Sequence, residues 1–236
     1  MKNIKIILKS SKEIFITYIL NYLIIIILCL IYTILGHNNL NLFLNTTCSY
    51  ILLIFCILMT IYLYRKNYRK EPSLLIKHYF PLGLLGISVA TLLNMIILFL
   101  YPSQITSTIS PLLAFVSSGL IGPIYEEILY RYLLYNRLKK IYSIKKSIVI
   151  TTIIFALIHL SPIRIIYAFI LGLILNVSYE KHKNILAPIL IHIAANTIVI
   201  FLDEYNTYIL ILSLISLTIS IVLNTNIKLK KTCLKK

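Results

Sequence analysis

Ser117-Ser-Gly-Leu-Ile-Gly122-Pro123-Ile-Tyr-Glu126-Glu127-Ile-Leu-Tyr-Arg131 lies within an apolar run covering 111–136. The run is long enough to cross a bilayer, yet it holds two carboxylates and a guanidinium. Ionisable side chains are costly in lipid, so their presence there marks function by default. Two later apolar runs carry comparable fragments, Phe155-Ala-Leu-Ile-His159 and His192-Ile-Ala-Ala-Asn196. Together the three supply a pair of Glu, two His, one Arg and one Asn. Those are parts that can activate a water and stabilise an oxyanion.

Composition sets the class. The chain of 236 residues is 59% hydrophobic and only 13% charged, with a mean hydropathy of +0.92. Soluble domains carry about 25% charged residues. The expectation is an all-α polytopic membrane protein, with residues 1–236 forming one transmembrane domain. Eight runs are candidates for spans: 14–35, 48–64, 79–101, 111–136, 147–160, 163–179, 185–202 and 207–224. The first is read as an uncleaved span rather than a signal peptide, because no small-residue cleavage site follows it before Gly36.

The net charge of +16 could suggest nucleic acid, but its placement excludes that partner. Lys and Arg gather in alternate connections: Arg65 to Lys77, Arg137 to Lys146, Lys181 and Lys183, and both termini. The segments 36–47 and 101–110 contain none. That alternation places both termini in the cytoplasm of a cell-membrane protein and requires an even number of spans. Counting from the cytoplasmic ends at 1.5 Å per residue puts Glu126 about 15–18 Å deep, His159 about 18 Å and His192 about 11–12 Å. The three fragments therefore reach similar depth. The cysteines Cys29, Cys48, Cys56 and Cys233 form no metal-binding spacing. Cys233 is fourth from the end, but Lys235 spoils a prenylation signal.

Within the fragments, spacing assigns roles. Glu127 and Arg131 are i, i+4 with Glu first, the favourable order for an ion pair, so they are read as structural support. Glu126 is left facing elsewhere as the candidate base for water. His192 and Asn196 are also i, i+4 and project from one face as candidate oxyanion donors. Pro123 is expected to kink its helix one turn above the glutamates. Ser118, Gly119 and Gly122 form a small-residue face for close helix approach. Tyr125, Tyr130 and Tyr132 stand near the glutamates, where they could line a cavity or mark an interface. His37, His78 and His182 fall in connections or at span ends and are expected to be solvated.

The three fragments, in this order on successive apolar runs, resemble the CAAX protease and bacteriocin-processing family, also called Abi or CPBP. These are intramembrane endopeptidases that include the Ras-converting prenyl-protein peptidases. The family pattern is Glu-Glu-x-x-x-Arg, Phe-x-x-x-His and His-x-x-x-Asn or Asp. Here it stands at 126–131, 155–159 and 192–196, and the resemblance covers a core of about 118–200. It implies an eight-helix bundle with a cavity open to the cytoplasm. It also implies that Glu126 and His159 activate the water, while His192 and Asn196 form the oxyanion site. The family has been described both as metal-dependent and as glutamate-type. The resemblance thus leaves open a zinc site built from Glu126, His159 and His192 alongside a metal-free scheme. The implied substrates are a lipidated protein C-terminus, or a leader or bacteriocin peptide, met among membrane lipids. Two other classes fit the same residues. One is a proton- or ion-coupled transporter, although no matched halves are visible. The other is a non-catalytic bacteriocin immunity protein.

Overall fold

The computed structural model describes residues 7–36, 43–101, 110–202 and 204–226. The expectations placed on His37 and Cys233, and on the basic residues of the first six and last ten positions, lie outside the described residues. Among those described, helices account for all eight apolar runs. They are α1 (Lys12–Ile34), α2 (Ser49–Lys66), α3 (Tyr79–Leu100), α4 (Pro111–Leu138), α5 (Ile144–Leu157), α6 (Pro162–His182), α7 (Leu186–Val199) and α8 (Thr207–Asn226). The protein is an all-helical, polytopic membrane protein. Among the described residues, six helices are long and apolar enough to cross a bilayer. The other two, α5 and α7, have 14 residues each. At 1.5 Å per residue they rise about 21 Å, short of the roughly 30 Å hydrocarbon core. Among the described residues, the eight apolar runs thus become six helices of spanning length and two shorter ones.

Local chemistry sets the helix ends. Ser110 and Ser143 cap α4 and α5 by accepting from the backbone N–H of Leu113 and Lys146. Pro111 and Pro162 occupy first helical positions, where a missing N–H is harmless. Lys183 closes α6 in the left-handed region (φ 53°), and Leu160 reverses the chain between α5 and α6 with φ 58°.

α1, α2 and α8 present Ile, Leu and Tyr on nearly every face and bury few of them. That is the pattern of helices set against lipid. α3, α4 and α6 are more buried, and α7 lies along α3 with α8 on another side. Lipid tails are as apolar as Leu, so close approach must rest on small side chains. Ala90, Ala187 and Ala195 are fully buried at this contact. Gly86 is decisive there, because a Cβ on it would stand 2.2 Å from the Ile191 carbonyl oxygen. Gly86→Ala is expected to lower stability by about 1–3 kcal/mol, the usual cost of overpacking. Gly83→Ala, where a Cβ meets nothing within 4 Å, is expected to be neutral. Thermal unfolding in detergent distinguishes the two.

The end of the bundle bearing the basic connections is tied by polar contacts. The Arg69 guanidinium donates to the Tyr132 carbonyl (2.6 Å) and the Tyr179 hydroxyl (2.8 Å), and lies 3.8 Å over the Tyr132 ring. Glu71 accepts from the Tyr179 hydroxyl (2.8 Å) and from the Ile185 N–H (2.7 Å) at the start of α7. Arg137 of α4 pairs with Glu13 of α1. His78 and His182, expected in solvent, are buried with ring centroids 4.9 Å apart. α6 continues to His182, and a 3-10 turn over Ile76–His78 brings the other ring against it.

Candidate functional site

Pro123 sets up the upper half of the site. Just before Pro123, where a kink is expected, the helix has a π-helical stretch, Phe115–Ile121, in which the Gly122 N–H reaches back five residues to the Ser117 carbonyl. The next N–H in that pattern would serve Ser118, but Pro123 has none. The orphaned Ser118 carbonyl is taken by Asn196 of α7, whose Nδ2 donates to it at 3.0 Å. Such bulges occur often at functional sites. Gly119 helps, since a Cβ there would meet Thr197 Oγ1 at 3.2 Å. Asn196 is thereby oriented, with one of its two amide N–H bonds already engaged.

One turn further along, adjacent glutamates face different surroundings. Glu127 is fully buried, and its Oε1 accepts from Arg131 Nη1 at 2.8 Å. Arg131 is also fully buried. Its Nη2 donates to the Gly172 carbonyl (3.3 Å), and its Cζ lies 4.4 Å from the Phe155 ring centroid. The expected ion pair is present, but it does more than neutralise charge. The same Oε1 lies 2.7 Å from His192 Nδ1. A carboxylate held by Arg131 can only accept, so Nδ1 carries a proton and donates it. Glu126, about a quarter exposed, has Oε2 3.7 Å from the other ring nitrogen, Nε2. The two neighbouring carboxylates therefore flank one imidazole, one in hydrogen-bond contact and the other at a distance that leaves no direct bond. This bears on the expected oxyanion role of His192. Its Nε2 is a lone pair when the ring is neutral and a donor only when the ring carries both protons.

His159 follows the end of α5. Its own N–H bonds the Ala156 carbonyl, which tightens the last turn and frees the Phe155 carbonyl. Nδ1–H of the ring donates to that carbonyl at 3.0 Å, so the ring caps its helix, and Nε2 is a lone pair when the ring is neutral. Phe155 is the hub of the arrangement. Besides Arg131, it packs edge-on against His159 (5.1 Å) and His192 (5.9 Å). Gly172 makes room, since a Cβ there would meet Phe155 at 3.0 Å. Behind it, Asn176 of α6 donates to Thr152 Oγ1 and to the Gly172 carbonyl, both at 3.0 Å.

A cavity of about 550 Å³ is lined by Glu126, Phe155, His159, His192 and Asn196. All four residues expected to do chemistry therefore border one space. Tyr125, Tyr130 and Tyr132 do not line it; they are buried in the core beside α1 and α2. Among the described residues no group of three His, Cys, Asp or Glu side chains converges as metal ligands. In this arrangement Glu126, His159 and His192 do not fit the zinc alternative.

The lining also shows toward which helix ends the cavity extends. Its remaining walls include Tyr101 of the connection after α3, Ser161 and Arg164 at the start of α6, and Val199 and Ile200 at the end of α7. Every one of these lies at helix ends remote from the basic connections.

The comparison with known families agrees with the geometry. The family model described as Rce1-like, type II CAAX prenyl endopeptidase, matches residues 108–198. These residues form an Rce1-like domain. The Rce1-like domain takes in α4 to α7 and with them all three polar fragments. No curated protein and no solved structure matches the chain. Sequence reasoning missed several residues that shape the site in the Rce1-like domain. The Ser118 carbonyl could have been inferred from Gly122-Pro123. Asn176 was visible as an amide in an otherwise apolar run. The link from Glu127 to His192 had no local signal.

Proposed function

We propose that the protein is an intramembrane endopeptidase that uses Glu126 to activate water for peptide-bond hydrolysis in this cavity. One observation carries the reading. Glu126 and Glu127 flank the two nitrogens of His192 at 3.7 and 2.7 Å at the bottom of a cavity. Glu126 takes a proton from water, and the oxygen adds to the scissile carbonyl carbon. The tetrahedral oxyanion faces His192 Nε2–H, in the ring held by Glu127, and the second amide N–H of Asn196. His159 Nε2 orients the water. Glu126 then returns its proton to the departing nitrogen, the C–N bond breaks, and an amine and a carboxylate leave. With His192 doubly protonated, Glu126, Glu127, Arg131 and His192 sum to zero charge, which suits a site in lipid. Groups fixed before the reaction are the main source of such stabilisation.

Apolar walls, among them Ile97, Leu98, Leu171 and Val199, suit a substrate with apolar side chains or a lipid chain. This fits a lipidated protein end or a leader or bacteriocin-type peptide. The same reading gives a multi-pass protein of the cell membrane with both termini in the cytoplasm, residues 1–236 acting as one transmembrane domain.

Asn196 offers a test that separates chemistry from scaffold. Asn196→Ala is expected to lower kcat by about 10²–10³-fold, the loss typical of one oxyanion donor. It also strands the Ser118 carbonyl, so the unfolding temperature falls. Pro123→Ala supplies a new backbone N–H that can serve Ser118. In that background Asn196→Ala is expected to cost little stability while activity stays low. Peptide cleavage that survives Asn196→Ala contradicts the oxyanion role.

A further inference from the structure

The cavity is closed at one end of the bundle and edged by charge at the other. Glu126, Phe155 and His192 form its floor. Beyond the floor, toward the basic connections, Ile128–Tyr135 is buried at all eight positions. The clamp of Arg69 and Glu71 on Tyr132, Tyr179 and Ile185 seals that end. The rim at the far end includes Tyr101, Ser161, Arg164 and Ile200. No Lys or Arg occurs in 36–47, 101–110 or 201–207, so Arg164 is an isolated cation on that side.

Arg164 stands exposed in the first turn of α6. A cation there opposes the positive end of the helix dipole, and among the described residues no carboxylate pairs with it. Ser161 gives that turn no side-chain cap. Tyr167 follows at i+3 on the same face. It also lines the cavity, and its hydroxyl is buried without a hydrogen-bond partner among the described residues. A guanidinium, an uncapped helix start and a phenolic O–H all favour one ligand chemistry, an anionic acceptor. Arg164 is eight residues from Gly172, whose carbonyl meets Arg131 at the floor. That is roughly 12 Å along the helix, so an anion bound at the rim stays clear of Glu126.

We infer that the cavity is filled from the face opposite the basic connections, and that Arg164 and Tyr167 hold a carboxylate of the incoming peptide. By the positive-inside rule that face is the non-cytoplasmic one. The substrate is then a peptide presented outside the cytoplasm, with its carboxylate supplied by a chain end or an acidic side chain. The carboxylate subsite rests on the endopeptidase reading, whereas the direction of access does not.

Access is tested by thiol labelling in intact cells of a bacterial host. Cys29, Cys48, Cys56 and Cys233 are replaced by Ala, and Arg164→Cys is compared with Lys140→Cys. A membrane-impermeant maleimide is expected to label position 164 in intact cells and position 140 only after permeabilisation. If Arg164→Cys does not accumulate, Ser161→Cys reports the same rim. Labelling at 164 only after permeabilisation, or not at all, overturns the direction. The subsite is tested with three peptides: one with a free C-terminus, its amide, and the amide with an internal Asp. The wild type is expected to favour carboxylate over plain amide by up to about fivefold, the range of an exposed charge pair. Arg164→Lys keeps that order and Arg164→Glu reverses it. Preference for the Asp peptide alone names a side chain as the source, and preference for the free C-terminus names the chain end. Equal rates on all three overturn the subsite. If the purified wild type cuts no peptide, the endopeptidase reading and the subsite fall together, while labelling still decides the direction.

Discussion

Glu126→Gln is expected to lower peptide cleavage by about 10²–10⁴-fold, the contribution of a positioned general base, with almost no change in thermal unfolding. The side chain is about a quarter exposed to the cavity, and its Oε2 is 3.7 Å from His192 Nε2. Gln keeps the shape and loses the basicity, so a pure loss of kcat at unchanged Tm is the signature. Glu127→Gln touches the neighbouring position but should behave differently. It removes the acceptor that holds both Arg131 and His192, so stability and activity fall together. A protein that kept its biological effect with Glu126→Gln would be working as a scaffold or immunity protein.

Arg131→Met is expected to destabilise the fold by about 3–5 kcal/mol, because it leaves Glu127 as a buried carboxylate without its cation. It also removes the donor to the Gly172 carbonyl and the cation against Phe155. The informative companion is Glu127→Leu with Arg131→Met. Replacing a buried ion pair by apolar residues of similar size is often neutral or stabilising, so denaturant unfolding should recover most of the loss. Activity should not recover, since His192 Nδ1 would have lost its acceptor. If stability and activity return together, the pair has no role beyond packing.

Much of the helical layout was legible because the signals are local. Apolar runs bounded by Lys and Arg mark α1 to α8 to within a few residues. α5 starts earlier than its run because Ser143 caps a first turn containing Lys145 and Lys146, whose charge hides it from a hydropathy reading. Neither α5 nor α7 has spanning length; the short run 147–160 already marked α5, whereas the longer run 185–202 hid the shortness of α7. In the site, the i, i+4 spacing gave Glu127–Arg131 directly. The same spacing put His192 and Asn196 on one face, and the structure then spends one amide N–H of Asn196 on Ser118.

What was hidden depends on partners distant in sequence. The His192 acceptor is 65 residues away, and the Ser118 carbonyl needs Asn196 at a separation of 78. Phe155 reads as an ordinary core residue until Arg131, His159 and His192 are seen around its ring. His78 and His182 read as solvated because each sits at a helix end, yet the two ends meet. The ion-coupled transport alternative needs a route across the bundle. The burial of Ile128–Tyr135 and the Arg69–Glu71 clamp oppose one.

The most direct measurement is peptide profiling by mass spectrometry in ¹⁸O-labelled water, with purified wild type and Glu126→Gln run side by side. New carboxyl termini carrying ¹⁸O with the wild type, and their absence with the variant, are the expected result. The same termini arising in both samples, or in neither, would contradict hydrolysis by a Glu126-activated water.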